Sequence, residues 1–123
     1  MEERQAAYLL DILNSADAIG RYLRECDREG FLRDAKTQDA VLRRLMVIGE
    51  AAARLTDETC SRFTGLPFRK MAGLRNRVVH DYGQIDLEIV WDTVTTHLPL
   101  LRETLREFFE KLPTDTPACE SPS

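Results

Sequence analysis

The sequence predicts an all-α protein, an antiparallel bundle of four to five amphipathic helices. Apolar residues recur at three- and four-residue intervals through most of the chain, which is the period of a half-buried helix. No run alternates apolar and polar residues as a strand exposed on one face would. The helical stretches are separated by short glycine- and proline-marked breaks, which favour antiparallel neighbours.

The first helix is expected over residues 3–28. Its stripe is Tyr8, Leu9, Ile12, Leu13, Ala16, Ile19, Tyr22, Leu23 and Cys26, and Gly30 is its stop. Tyr8 and Tyr22 lie on that stripe and should be mostly buried. A second helix is expected from about Asp34 to Leu55, with Val41, Leu42, Leu45, Met46, Ile48, Ala52 and Leu55 on one side. Gly49 lowers its propensity, and its lack of a side chain would allow close helix packing. Asp57 is placed to cap a short turn through Phe63. Pro67 suits the first turn of a third helix, 67–82, where its missing N–H costs nothing, and Gly83 ends it. Asp86 caps the next helix, which carries Ile89, Val90, Val94, Leu98, Leu101, Leu105, Phe108 and Phe109. Pro99 interrupts that pattern, so a kink or break is expected near Thr96 to Pro99. Residues 1–112 then form one helical domain, and 113–123, rich in Pro, Thr and Ser, form a disordered tail.

Composition narrows the function classes. No stretch approaches the roughly 18 apolar residues of a membrane helix. The start, Met1-Glu2-Glu3-Arg4-Gln5, is too polar for a secretory signal, so a cytoplasmic protein is expected. Cys26, Cys60 and Cys119 match no zinc or redox spacing, and His80 and His97 have no ligand partner at short spacing. Neither a metal nor a cofactor is expected. Net charge is −4, but residues 41–80 hold eight basic and three acidic side chains, a local +5, between flanks with nine basic and eighteen acidic ones. Such a basic centre can bind phosphate; the same arginines also fit solvated helix faces.

The chemistry-bearing run is Arg69 to Tyr82. Asn76 and His80 are four residues apart, so they share a helical face. Arg75 lies five before His80, about 140° round the helix, so one straight helix would not aim both at a small target. A cleft between two copies could use both. A histidine can move protons near neutral pH, an arginine can stabilise charge growing on a phosphate, and an asparagine can orient either. That set suits metal-free RNA cleavage with the 2′-hydroxyl as nucleophile. Arg69, Lys70 and Arg77 are candidate RNA contacts and equally candidate solvated cations. Trp91 and Tyr22 fit the core better than stacking platforms, His97 is expected to be structural, and Glu50 could face Arg43, Arg54 or the site.

Arg75-Asn76-Arg77-Val78-Val79-His80-Asp81-Tyr82 resembles the R-x4-H-x-Y motif of the HepT-like toxins, within the HEPN superfamily. The likeness extends from about Tyr8 to Leu112. It includes Ala40 to Ala52 with the Ile48-Gly49-Glu50-Ala51 signature, Ala72-Gly73-Leu74-Arg75-Asn76, Asp86 to Trp91, and Leu98-Pro99-Leu100. Phe68 and Leu74 depart from it, standing where many relatives carry Trp and Met. The resemblance implies a dimerising HEPN-type bundle that brings two motifs to one cleft, with Arg75, Asn76 and His80 catalytic. It implies an RNA endonuclease, acting on tRNA or mRNA, that is the toxin of a type VII toxin–antitoxin pair. It further implies a cognate MntA-like nucleotidyltransferase antitoxin that adds AMP to Tyr82. The competing reading is a HEPN domain that no longer cleaves and serves as a binding partner of a nucleotidyltransferase.

Overall fold

The computed structural model describes residues 1–73 and 86–112, and these are all-helical, without strands. In chain order they form α1 (Glu3–Tyr22), α2 (Arg28–Arg33), α3 (Ala35–Ala53), α4 (Asp57–Ser61), α5 (68–73), α6 (Leu87–Thr96) and α7 (Leu98–Glu110). The helical class and the bundle are as the sequence predicts.

Helix α1 is the centre of the packing. Leu9, Ile12, Ala16 and Ile19 are essentially inaccessible to solvent and recur at helical spacing. They meet α3 along its length and α7 on the other side. Gln5, near the start of α1, bonds to the C-terminal end of α3, so those two helices run antiparallel. Its Nε2 donates to the Arg54 carbonyl (3.2 Å) and its Oε1 accepts from the Thr56 N–H (2.9 Å). One buried amide thereby satisfies backbone groups at a helix end and at the next helix start, which would otherwise be orphaned. The apolar faces carry the stability: a fully buried Leu or Ile contributes roughly 2 kcal/mol. Exposed pairs such as Arg28–Glu88 (2.7 Å) and Arg54–Glu50 (3.7 Å) contribute under about 1 kcal/mol each.

Several boundaries differ from the sequence reading. The first helix stops at Tyr22 instead of continuing to 28. The Asp27 carboxylate accepts the Gly30 N–H (2.8 Å) and caps a new short helix, so Gly30 lies inside α2 and is not a stop. Cys26 sits in the turn before it, where burial and the carboxylates of Asp27 and Asp34 push its thiol up. The second helix starts where expected, with Asp34 capping α3 by accepting from Lys36 and Thr37, and Gly49 is buried on its inner side; Met46, expected on the apolar stripe, is instead 38% exposed, because it stands about 100° round the helix from Leu45. Thr56, not Asp57, caps α4, its hydroxyl accepting the Thr59 N–H (3.1 Å); Asp57 is the first helical residue, where its charge complements the dipole. Pro67 immediately precedes α5, and its carbonyl accepts the Met71 N–H. The break near Pro99 is found, with His97 closing α6 and Pro99 in the first turn of α7. Gly83 and the tail 113–123 lie outside the described residues.

Tyr22 corrects another expectation. It is 38% exposed at the last residue of α1; its hydroxyl accepts from Arg44 Nε (3.3 Å). Tyr8 is half-buried against the core. Trp91, in contrast, packs as expected, its ring centroid 5.5 Å from that of Phe31.

Helix α7 is tied to α1 by charge as well as by apolar contact. Asp17 accepts from Arg102 Nε (2.9 Å) and from Arg106. Arg102 reaches it across Gly20, where a Cβ would stand 2.5 Å from the guanidinium. Burial raises the Asp17 pKa, but the bonds from Arg106 and Arg102 outweigh it and leave the group below its ordinary value of 3.8. A pKa depressed by folding contributes stability above the ordinary value and loses it as pH falls through the folded one. Asp17→Asn is therefore expected to cost about 1 kcal/mol at pH 7, a modest figure because both guanidiniums are partly in solvent. In urea unfolding, the gap between wild type and variant should narrow below about pH 4; a gap independent of pH would show that the carboxylate charge is not what is lost.

Candidate active site

Arg75, Asn76, Arg77, His80 and Tyr82 lie outside the described residues, as does Leu74. The structure describes the two elements that bracket them. On the entry side, α5 is anchored by Phe68 and Met71, both almost fully buried. The Phe68 ring meets Phe63 edge-on at 6.1 Å, and Phe63 meets Phe108 of α7 at 5.2 Å. This aromatic chain fixes the end of the described segment to the far side of the bundle. The Phe68 ring thus packs fully into the core. On the exit side, Asp86 accepts from the N–H groups of Glu88 (3.0 Å) and Ile89 (3.2 Å) and starts α6.

Arg69 and Lys70 are neighbours in α5 with different fates. The Arg69 guanidinium is held by the Asp57 carboxylate, which offsets its charge. Lys70 is exposed and lines a cavity of about 420 Å³ between α5 and α6. Pro67, Met71 and Gly73 form its α5 side, and Ile89, Thr93 and His97 its α6 side. His97 is half-buried there, at the junction of α6 and α7. The sequence reading treated it as structural and did not connect it with Lys70. A signal was present: Ile89, Thr93 and His97 are four residues apart in succession, hence on one face of α6. Elsewhere in the basic centre Arg54 pairs with Glu50, and Arg44 bonds to Tyr22. Of the partners raised by the sequence, Arg54 is one that Glu50 meets.

Among the described residues no three His, Cys, Asp or Glu side chains are grouped as a metal site. Among them, too, no helix is long and apolar enough to cross a membrane.

With the bundle, the broken α6–α7 rod and the two flanks of the motif in place, comparison with known proteins defines the class. The family model described as "Ribonuclease HepT-like" matches residues 12–108, a span that includes the bracketed motif. The chain belongs to the HepT-like ribonuclease family. "Probable ribonuclease HepT" of Thermococcus cleftensis is 36% identical over 112 residues, covering 91% of this chain and 98% of that protein. "Putative RNase MJ0127" of Methanocaldococcus jannaschii is 39% identical over 93 residues, covering 76% and 77%. No solved structure matches the chain.

Because Asp86 satisfies two N–H groups at the start of the helix that follows the motif, Asp86→Ala is expected to lower global stability by about 1 kcal/mol. Thermal unfolding followed by circular dichroism measures it; an unchanged midpoint would mean that the α6 N-terminus is held by other means.

Proposed function

We propose that this chain is a metal-independent endoribonuclease that acts as the toxin of a toxin–antitoxin pair. The observation that carries the reading is the complete Arg75-Asn76…His80…Tyr82 motif inside a chain whose family model spans 12–108. Relatives bearing the name ribonuclease over nearly the whole chain support it. In the proposed reaction the 2′-hydroxyl of the substrate attacks the adjacent phosphorus, and the 5′-oxygen of the next nucleotide leaves. A 2′,3′-cyclic phosphate remains. His80 moves protons between these oxygens, Arg75 offsets the charge that grows on the phosphate, and Asn76 orients the groups. The substrate class is cellular RNA, tRNA or mRNA, cut by a homodimer that brings two motifs to one cleft in the cytoplasm.

Regulation follows from the same motif. A cognate nucleotidyltransferase of the MntA-like kind transfers AMP from ATP to the Tyr82 oxygen with release of pyrophosphate. The bulky anion beside His80 then blocks the cleft and repels RNA phosphate, as phosphorylation would. The exposed Tyr22 phenol is a second accessible acceptor, so the modified residue has to be located by peptide-level mass spectrometry. The other reading is a binding partner of a nucleotidyltransferase without cleavage activity, and the same assays separate the two.

His80→Ala is expected to abolish both RNA cleavage and growth inhibition with the fold intact, and Arg75→Ala to slow cleavage by roughly 10²-fold. Cleavage should persist in EDTA and leave cyclic phosphate ends. Sequencing RNA ends from cells that express wild type or variant checks these outcomes; cutting by His80→Ala at the wild-type rate would exclude the mechanism, and absence of cutting by wild type would favour the binding reading. Co-expression with the partner should add AMP mass to Tyr82, and Tyr82→Phe should escape silencing. An unmodified chain silenced in both forms would instead mean that the partner simply covers the cleft.

A further inference from the structure

The cavity between α5 and α6 has the makings of a binding site. Its volume of about 420 Å³ falls in the range of roughly 300–1,000 Å³ in which small-molecule pockets lie. Pro67, Met71 and Ile89 give it apolar walls. The Thr93 hydroxyl donates its proton to the Ile89 carbonyl (2.8 Å), so it has no proton left for an anion. The remaining polar groups on the lining are the Lys70 ammonium and the His97 imidazole, and among the described residues neither has an ion-pair or hydrogen-bond partner. No carboxylate is among the described lining residues. Lys70 contrasts with Arg69 beside it, whose charge is already taken by Asp57. An occupant must therefore combine a flat apolar body with an anion, which describes a nucleotide. Gly73, on the cavity wall, lies two residues before Arg75, so the cavity is continuous in the chain with the motif.

We propose that this cavity is an RNA subsite holding one nucleotide of the substrate strand next to the cleaved linkage. The base lies against Met71 and Ile89, and the phosphate is bound by Lys70 and His97. The inference rests on the ribonuclease reading above. Both groups bind substrate and neither moves a proton in the reaction: the Lys70 ammonium donates to a phosphate oxygen, and an imidazole N–H of His97 donates to the same group.

The test is fluorescence anisotropy of a short, mixed-sequence, 2′-O-methyl oligoribonucleotide, which binds but lacks the nucleophile, with the full-length chain. Lys70→Gln and His97→Gln are each expected to weaken binding about tenfold, the loss of one charge-assisted hydrogen bond. Lys70→Gln should also reduce the salt slope by about 0.7, the value for one phosphate on a single strand. Lys70→Arg should restore affinity, which a fold defect would not allow. Arg62→Gln removes the same charge from an exposed position away from the cavity, and wild-type affinity is expected. Wild-type affinity in both Lys70→Gln and His97→Gln would overturn the subsite while leaving the ribonuclease reading standing. An equal loss in Arg62→Gln would reduce it to general charge attraction. A wild-type chain that neither binds this probe nor cuts cellular RNA would overturn both.

Discussion

The burial of one face of α1 is the constraint on which the rest of the bundle depends. Leu9, Ile12, Ala16 and Ile19 are withdrawn from water together, and α1 touches both α3 and α7 through that face and its edges. Removing a side chain from such a site costs the transfer free energy and leaves a cavity, roughly 2–5 kcal/mol for Leu or Ile to Ala. No surface ion pair among the described residues approaches that. Polar residues at the margins act as registers: Gln5 fixes α1 against the α3–α4 junction, and Asp17 fixes it against α7. Gly20 leaves the space Arg102 needs to reach Asp17.

The frame positions the candidate site by its two flanks. Phe68 and Met71 are sunk in the core, and the ring contacts from Phe68 through Phe63 to Phe108 couple α5 to α7. Asp86 starts α6 with two backbone bonds. The chain therefore enters and leaves the motif from fixed points. The break at His97 and Pro99 ends α6, and the face of α6 that carries Ile89, Thr93 and His97 shares a cavity with Lys70. The cavity beside that break carries an ammonium, an imidazole and no acid on its described lining.

Charge illustrates why composition alone misleads. The chain is acidic overall, and its middle third is basic. Within that third, Arg69 and Arg54 are paired with acids and Arg44 is bonded to a phenol. What matters for an anionic ligand is which cations remain uncompensated beside a concave surface, and Lys70 meets both conditions while Arg69 does not.

The sequence by itself determined the helical class, the start of the second long helix near Asp34, the cap at Asp86, the break near Pro99 and the motif that identifies the family. Each depends on residues within a few positions of one another, where periodicity, side-chain capping and proline geometry act. It misplaced the end of the first helix because a continuing apolar stripe outweighed the capping power of Asp27, and it buried Tyr22 on the strength of the same stripe. Tertiary structure alone decided that Gln5 meets Arg54, that Asp17 meets Arg102 and that Lys70 and His97 share a cavity. These partners are separated by tens of residues. Periodicity tells which face of a helix turns inward but not which helix it meets or at what height, and that placement is set only when the apolar faces pack together.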